Sequence, residues 1–274
     1  MEDVIIMTMK KTNWIIAGII LACCLAIALS AIGMTVNQKT SAEGISPGPG
    51  ISTVQGQLDS LALDATMPNS PESVRVPSVI SVDIVQKGDD RISMAVANSI
   101  PSSSDAPLLA EKVLESYGGL PKDARLIDAV PRYQYKYNLT TNAVEEEYPW
   151  QTQVRYIQVL DGRSVIGTTI NLGLKENGEL GSLVKIWPAY GKGKVIKVVP
   201  AQRAYEKFKA YETTEKIQGN IPGGSKISNI TLGYQLYGTW NSETKEPYLK
   251  PVWIFSVVTP ADPEPFPLMV DAAA

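Results

Sequence analysis

The chain has 274 residues with 25 basic and 28 acidic side chains, a net charge of −3 and a pI near 5.2. It has no basic stripe with interleaved aromatics, so nucleic acid is excluded as a partner. Histidine is absent, which removes the commonest general base and the commonest metal ligand together. The two cysteines, Cys23 and Cys24, both fall in one apolar run. The rest of the chain therefore has no thiol nucleophile, disulfide or thiolate metal site, and no cofactor is expected.

Residues 1–13 read as a cytoplasmic N-terminus, with Met9-Lys10-Lys11 as an internal start that would make the first eight residues an extension. Trp14 to Val36 is uncharged and apolar, long enough to cross a hydrocarbon core about 30 Å thick as a helix. Lys10 and Lys11 precede it, which predicts a cytoplasmic N-terminus and an exported remainder. Two other readings stay open: cleavage as a signal peptide at Ala28-Leu29-Ser30, and lipid attachment at Cys23 after Ile20-Leu21-Ala22. The apolar run continues beyond both, which favours an uncleaved signal anchor in the cell membrane. All three readings place the remaining chain in an extracytoplasmic space, with membrane lipid as a partner of the N-terminal helix.

Residues 37–75 contain SPGPG and several serines and read as a flexible stalk. Residues 76–104 read as a β-hairpin, with Ile80, Val82 and Ile84 alternating before a turn at Lys87-Gly88-Asp89-Asp90, and Ile92, Met94 and Val96 after it. Asp105-Ala106-Pro107 opens a short helix that carries Leu109, Val113, Leu114 and Tyr117 and stops at Gly118-Gly119. Tyr133, Tyr135 and Tyr137 mark an amphipathic strand. Asp161-Gly162 is a two-residue hairpin signal between strands Gln153 to Leu160 and Arg163 to Leu174. Asn177-Gly178 turns into Leu180 to Trp187. A second helix is predicted over Ala201 to Tyr211, followed by strands Ile227 to Tyr237 and Leu249 to Val258. The order predicts an α+β fold: an N-terminal transmembrane helix, then antiparallel sheets with two short helices. Residues 105–199 and 200–274 repeat the sequence helix, strand, loop, strand, which reads as a degenerate internal repeat.

Pro200-Ala201-Gln202-Arg203-Ala204-Tyr205, Ile230 to Tyr234, Tyr248 to Phe255 and Phe266 to Ala272, in that order, resemble PepSY-like extracytoplasmic domains. The likeness is strongest to the YycH/YycI-type regulators that sit beside a sensor histidine kinase. The meander from Val154 to Leu180 resembles the same family. Residues 76–104 have no counterpart, and Asp271 stands where the relatives carry asparagine. The resemblance implies two PepSY-like repeats, a noncatalytic regulatory role through protein–protein interaction, and an envelope protein partner such as a sensor kinase or a peptidase.

No residue set points firmly to chemistry. Glu145-Glu146-Glu147 lacks the glycine-centred ladder of a calcium loop and reads as a solvated hairpin tip, and Asp89-Asp90 reads as a turn. Asp128, Asp161 and Glu179 have no glycosidase context. Ser225-Lys226 and Ser182 with Lys185 are weak hydrolase pairs, and Gly191-Lys192-Gly193-Lys194 lacks phosphate-loop spacing. The chain is read as no enzyme, with catalytic and metal residues: none. The candidate binding face is Tyr133, Tyr135, Tyr137, Trp187 and Tyr190. Asn138 and Asn229 begin N-glycosylation sequons. A membrane-anchored binding module is the first reading. A self-associating or wall-contacting structural envelope protein is the second, and an envelope hydrolase the last.

Overall fold

The computed structural model describes residues 5–8, 58, 60–88, 99–138, 140, 143–215, 221–238, 246–262 and 264–274. Strands β1 (Ile5–Thr8), β2 (Ala62–Leu63), β3 (Ser73–Val76) and β4 (Val79–Gly88) precede helix α1 (Ala106–Glu115). Strands β5 (Ala124–Asn138), β6 (Ala143–Leu160), β7 (Arg163–Ile166), β8 (Thr169–Leu174), β9 (Leu180–Tyr190) and β10 (Lys194–Lys197) follow it. Helix α2 (Ala201–Lys209) then leads to β11 (Lys226–Tyr237), β12 (Tyr248–Val258) and β13 (Phe266–Asp271). The fold is α+β. Its main sheet runs β13-β12-β11-β7-β6-β8-β9-β4, with β5 on the other edge of β6, while β3 and β10 form a separate pair.

Each of the two helices is laid on strands that come after it. In α1, Ser102 supports the start: its hydroxyl donates to Asp105 Oδ2 at 2.6 Å, and its carbonyl accepts from Ala106 N at 2.9 Å. Gly118, at φ 89°, reverses the chain so that Gly119 N reaches the Leu114 carbonyl, a glycine-terminated helix end. Ala106, Ala110 and Leu114 are fully buried against Val154, Tyr156, Ile170, Leu172 and Leu183. For α2 the cap comes from far along the chain, because Ala201 N donates to Ser70 Oγ at 2.7 Å. Ala201, Ala204 and Phe208 bury against Ile227, Tyr234, Trp253, Phe255 and Val270. Leu58 and Leu61 belong to the same core, so the described end of the stretch read as a stalk packs on the fold.

The membrane-anchored reading does not hold. Among the described residues no helix is long and apolar enough to cross a membrane. The longest, α1, has ten residues and spans about 15 Å, half of what a crossing needs. Residues 14–36, where the transmembrane helix was expected, lie outside the described residues. On their N-terminal side, however, β1 pairs antiparallel with β5, Ile5 opposite Tyr137 and Thr8 opposite Gln134. Paired strands lie about 4.8 Å apart, so residues 5–8 and β5 share one side of any bilayer. A single crossing between them would put them on opposite sides. The signal anchor, the cytoplasmic N-terminus with an extracytoplasmic domain, the single-pass cell-membrane location and the lipid contact through that helix all fall with it.

The sheets are also mixed rather than antiparallel throughout. β7 runs parallel to β11, Val165 opposite Tyr234 and Ile166 opposite Gln235, and β2 runs parallel to the other end of β11. β4 pairs along its length with β9. The second arm of the hairpin expected at Ile92, Met94 and Val96, and its turn at Asp89-Asp90, lie outside the described residues.

Candidate binding groove

A groove of about 370 Å³ opens where the two halves meet, and its geometry begins with the Asp161-Gly162 turn. Asp161 and Gly162 adopt φ values of 48° and 77°, the paired left-handed conformation that a tight two-residue hairpin requires. The turn sets Ser164 opposite Val159 and Arg163 opposite Leu160. Four residues later Gly167, at φ 92°, ends β7 and turns the chain into β8. β7 is thereby free to lie parallel to β11. The close approach depends on Gly233, where an added Cβ would stand 2.7 Å from the Ser164 carbonyl oxygen and 2.6 Å from Ile254 Cδ1.

Ile157, Ile166 and Ile254 supply the apolar lining and Arg125, Arg163, Ser164, Asn229, Thr231 and Ser256 the polar lining, with Pro265 and Pro267 at the β13 end. Ile254 is only 5% exposed and packs with Val252, Met269 and Ile166, which makes it the floor. Arg125 Nη2 donates to Ser164 Oγ at 2.8 Å, and Arg163 Nη1 to the Asp161 carbonyl at 3.3 Å. Neither guanidinium has a carboxylate partner among the described residues, and no acidic residue lines the groove.

The contrast with Arg155, one step beyond Ile157 on that face, is informative. Its Nε donates to Asp128 Oδ1 at 2.8 Å, and its Nη2 contacts both Asp128 Oδ2 and Glu264 Oε1. The Asp128 hydrogen bond, and after it Glu264, hold the guanidinium charged well above its ordinary value against the opposing effect of burial. Glu264 belongs to a fastened loop, in which Asp262 N donates to Thr259 Oγ1 at 3.0 Å and Glu264 N to Asp262 Oδ1 at 3.0 Å. Farther along the same face Arg132 places both Nε and Nη2 on Gln153 Oε1, at 2.9 and 2.6 Å, and Gln153 Nε2 donates to Asn171 Oδ1 at 2.9 Å. Burial, then the neighbouring Arg155 charge, lowers the Arg132 pKa.

The residues singled out from sequence as a binding face do not come together. Tyr133, Tyr135 and Tyr137 are half-buried at the far end of β5, where Tyr135 lies opposite Glu147 of β6 and Met7 of β1. Burial, then Glu147 and Tyr133, raises the Tyr135 pKa. Trp187 and Tyr190 instead join a buried polar chain. Trp187 Nε1 donates to Asp123 Oδ1 at 3.1 Å, Gln158 Nε2 to Asp123 Oδ2 at 2.7 Å, and Tyr190 OH to Gln158 Oε1 at 2.7 Å. Trp187 is 7% exposed and packs in the α1 core, so its ring presents no surface for stacking.

Of the two sequons, Asn138 ends β5 with its amide donated to Glu145 Oε1 at 2.7 Å and its Oδ1 accepting from Thr140 N at 2.9 Å. Asn229 is exposed in β11 and lines the groove. The acidic triplet lies within β6 rather than at a loop tip, and Glu145 and Glu146 bracket Lys136 at 3.6 and 2.9 Å. Lys185 is buried, its ammonium held by Asp83 at 2.8 Å and by the Tyr117 carbonyl at 2.9 Å. Ser225 donates to the Pro222 carbonyl at 2.6 Å, while Lys226 pairs with Asp64.

Sequence reasoning missed Arg125 and Arg163. They stand 38 positions apart and converge only because β7 bridges β6 and β11. The usable signal is the Asp161-Gly162 turn, which sets the register of β7 as well as closing the hairpin. No protein-family model matches the chain, and no curated protein matches it in sequence.

Proposed function

We propose that this fold is a noncatalytic binding module whose groove takes a carboxylate-bearing peptide segment with an apolar body. The observation that carries the reading is the pair of guanidiniums, Arg125 and Arg163, left without carboxylate partners beside an isoleucine-floored groove. Arginine presents a planar fork that matches a carboxylate, and a volume of this size falls within the range of small-ligand sites. The net charge of −3 does not oppose this, because charges beyond about 8 Å are screened at physiological salt. The helix-then-strands order in each half supports the PepSY-like resemblance, whose implied role is likewise binding.

The test is titration of the full chain with a heptapeptide that carries one terminal glutamate and is otherwise apolar and neutral. Saturable binding should weaken with rising salt. It should fall at least about tenfold on replacing both arginines (Arg125→Gln with Arg163→Gln), since each charged hydrogen-bonded contact contributes about 1.5–3 kcal/mol. Binding that is indifferent to the double substitution, or no binding at all, overturns the reading.

A further inference from the structure

We infer that the outer edge of β4 is the surface on which two copies of this chain pair, antiparallel about a two-fold axis, with Asp83 of each opposite Lys87 of the other. The groove takes no part, since it is lined from β5 to β7 and from β11 to β13, while β4 closes the far end of the sheet. β4 runs for ten residues and pairs, among the described residues, with β9 alone. Such an edge presents a row of N–H and C=O groups open to another strand, and folded proteins cover or break it. The other two outer strands are so treated. β5 carries Pro131 and register shifts at Leu126, Arg132 and Lys136, and β1 pairs with its end. β13 carries Pro267, and its Met269 carbonyl accepts from Thr214 N at 2.8 Å. β4 has no proline, and its bulge falls between Val79 and Ser81, so residues 81–88 keep unbroken register.

The strand's own sequence says what fits. In Asp83-Ile84-Val85-Gln86-Lys87 an acid and a base stand equally far on either side of Val85. Side chains alternate between faces, so Asp83, Val85 and Lys87 share one, opposite Trp187, Lys185 and Leu183 of β9. A two-fold axis through Val85 keeps that face common to both copies and sets Asp83 against Lys87 twice. This is the self-complementarity that a symmetric interface needs. Opposite charges directly across a strand pair attract, and like charges repel. On the other face Ile84, 47% exposed, meets the methylenes of Gln86.

Both charges are open to a partner. Asp83 is 55% exposed, and its Oδ2 is held by the buried Lys185 ammonium at 2.8 Å. Its Oδ1 and the exposed Lys87 have no partner among the described residues. Sliding the copies by two residues puts Val85 opposite Asp83 or Lys87 and breaks both ion pairs. Sliding by four sets Asp83 against Asp83 or Lys87 against Lys87. One register is therefore favoured. A single strand pair buries less than a standard interface of about 1,600 Å², so the dimer forms reversibly and weakens with salt.

The experiment joins sedimentation velocity of the full chain, from micromolar to near-millimolar concentration, to coupling with a carbodiimide, which links a carboxylate to an amine in direct contact. Asp83 and Lys87 of one chain stand about 13 Å apart at strand rise, too far to be joined. An Asp83–Lys87 link found by peptide mass spectrometry therefore comes from two copies. The expected result is a monomer–dimer equilibrium with that link in the coupled dimer. Lys87→Glu should weaken the dimer at least about tenfold, since both pairs turn repulsive, while Lys87→Arg should keep it. A monomer at every concentration overturns the pairing, and so does a dimer that lacks the Asp83–Lys87 link or is indifferent to Lys87→Glu. A monomer whose β4 amide resonances shift only on adding an unrelated extended peptide overturns it too, and gives the edge to peptide capture instead.

Discussion

Phe208 of α2 stacks on Phe255 of β12 with ring centroids 4.5 Å apart and planes inclined by 26°. Both rings are fully buried, and Tyr205 approaches Phe255 from one turn earlier at 6.4 Å. This contact fastens α2 to the sheet that forms one wall of the groove. Phe208→Ala should lower unfolding stability by about 3–5 kcal/mol, the usual cost of emptying an aromatic site, with Phe208→Leu costing clearly less. Urea unfolding followed by far-UV circular dichroism checks it, and an alanine variant of near-native stability would contradict the packing described.

Gly233 is where β11 comes closest to β7. A methyl group there meets the Ser164 backbone oxygen, which cannot turn aside as a side chain would. Gly233→Ala should therefore cost about 1–3 kcal/mol through overpacking and weaken peptide binding in the groove by prising β7 away. Amide exchange at Val165 and Ile166 should accelerate in the variant while exchange in α1 stays unchanged. Uniform acceleration through both helices would argue against a local effect.

Gly173 leaves room for a side chain from the next strand. An added Cβ would fall 2.2 Å from Gln151 Oε1 and 2.4 Å from its Cδ. Gly173→Ala must expel a buried amide and should cost about 1–3 kcal/mol. Adding Gln151→Ala should recover most of that loss, because the clash and the orphaned oxygen disappear together. A double variant no more stable than Gly173→Ala alone would mean the backbone, not the amide, is what the glycine serves.

Alkaline pH should loosen the fold. Burial first, then the Glu111 charge, pushes the Tyr156 hydroxyl up to about 12 from an ordinary value of 10, and burial drives Tyr190 upward as well. Between pH 10 and 12 the unfolded chain gives up these protons while the folded chain keeps them, so stability is full below pH 10 and falls through that window. Denaturant titrations across it should show the decline, and Tyr156→Phe should make it shallower. A flat profile would contradict the buried setting of the hydroxyl.

Elements governed by local chemistry were legible in the sequence. Gly118-Gly119 stops α1, Asp161-Gly162 and Asn177-Gly178 take the positive φ values that their turns need, and the 201–209 helix shows its buried stripe at 201, 204 and 208. The strand read over Arg163 to Leu174 is instead broken at Gly167, because β7 must leave β6 to reach β11. Nothing in four residues announces a parallel partner about seventy positions away. For the same reason Ser70 could not be read as the cap of α2. The tyrosine row and Trp187 looked alike as aromatic residues on strands. Only the packing of α1 decides that Trp187 joins its core, while the tyrosines lie at the far end of β5.

β7 counts the residues of the groove. It hangs on β6 by two rungs and on β11 by two more, so the spacing of the Asp161-Gly162 reversal decides which side chains alternate to which face. One residue inserted there would exchange the roles of Ser164 and Val165, carrying a hydroxyl into the interior and an aliphatic group into the cleft. Insertions in this connection should therefore be tolerated only in pairs.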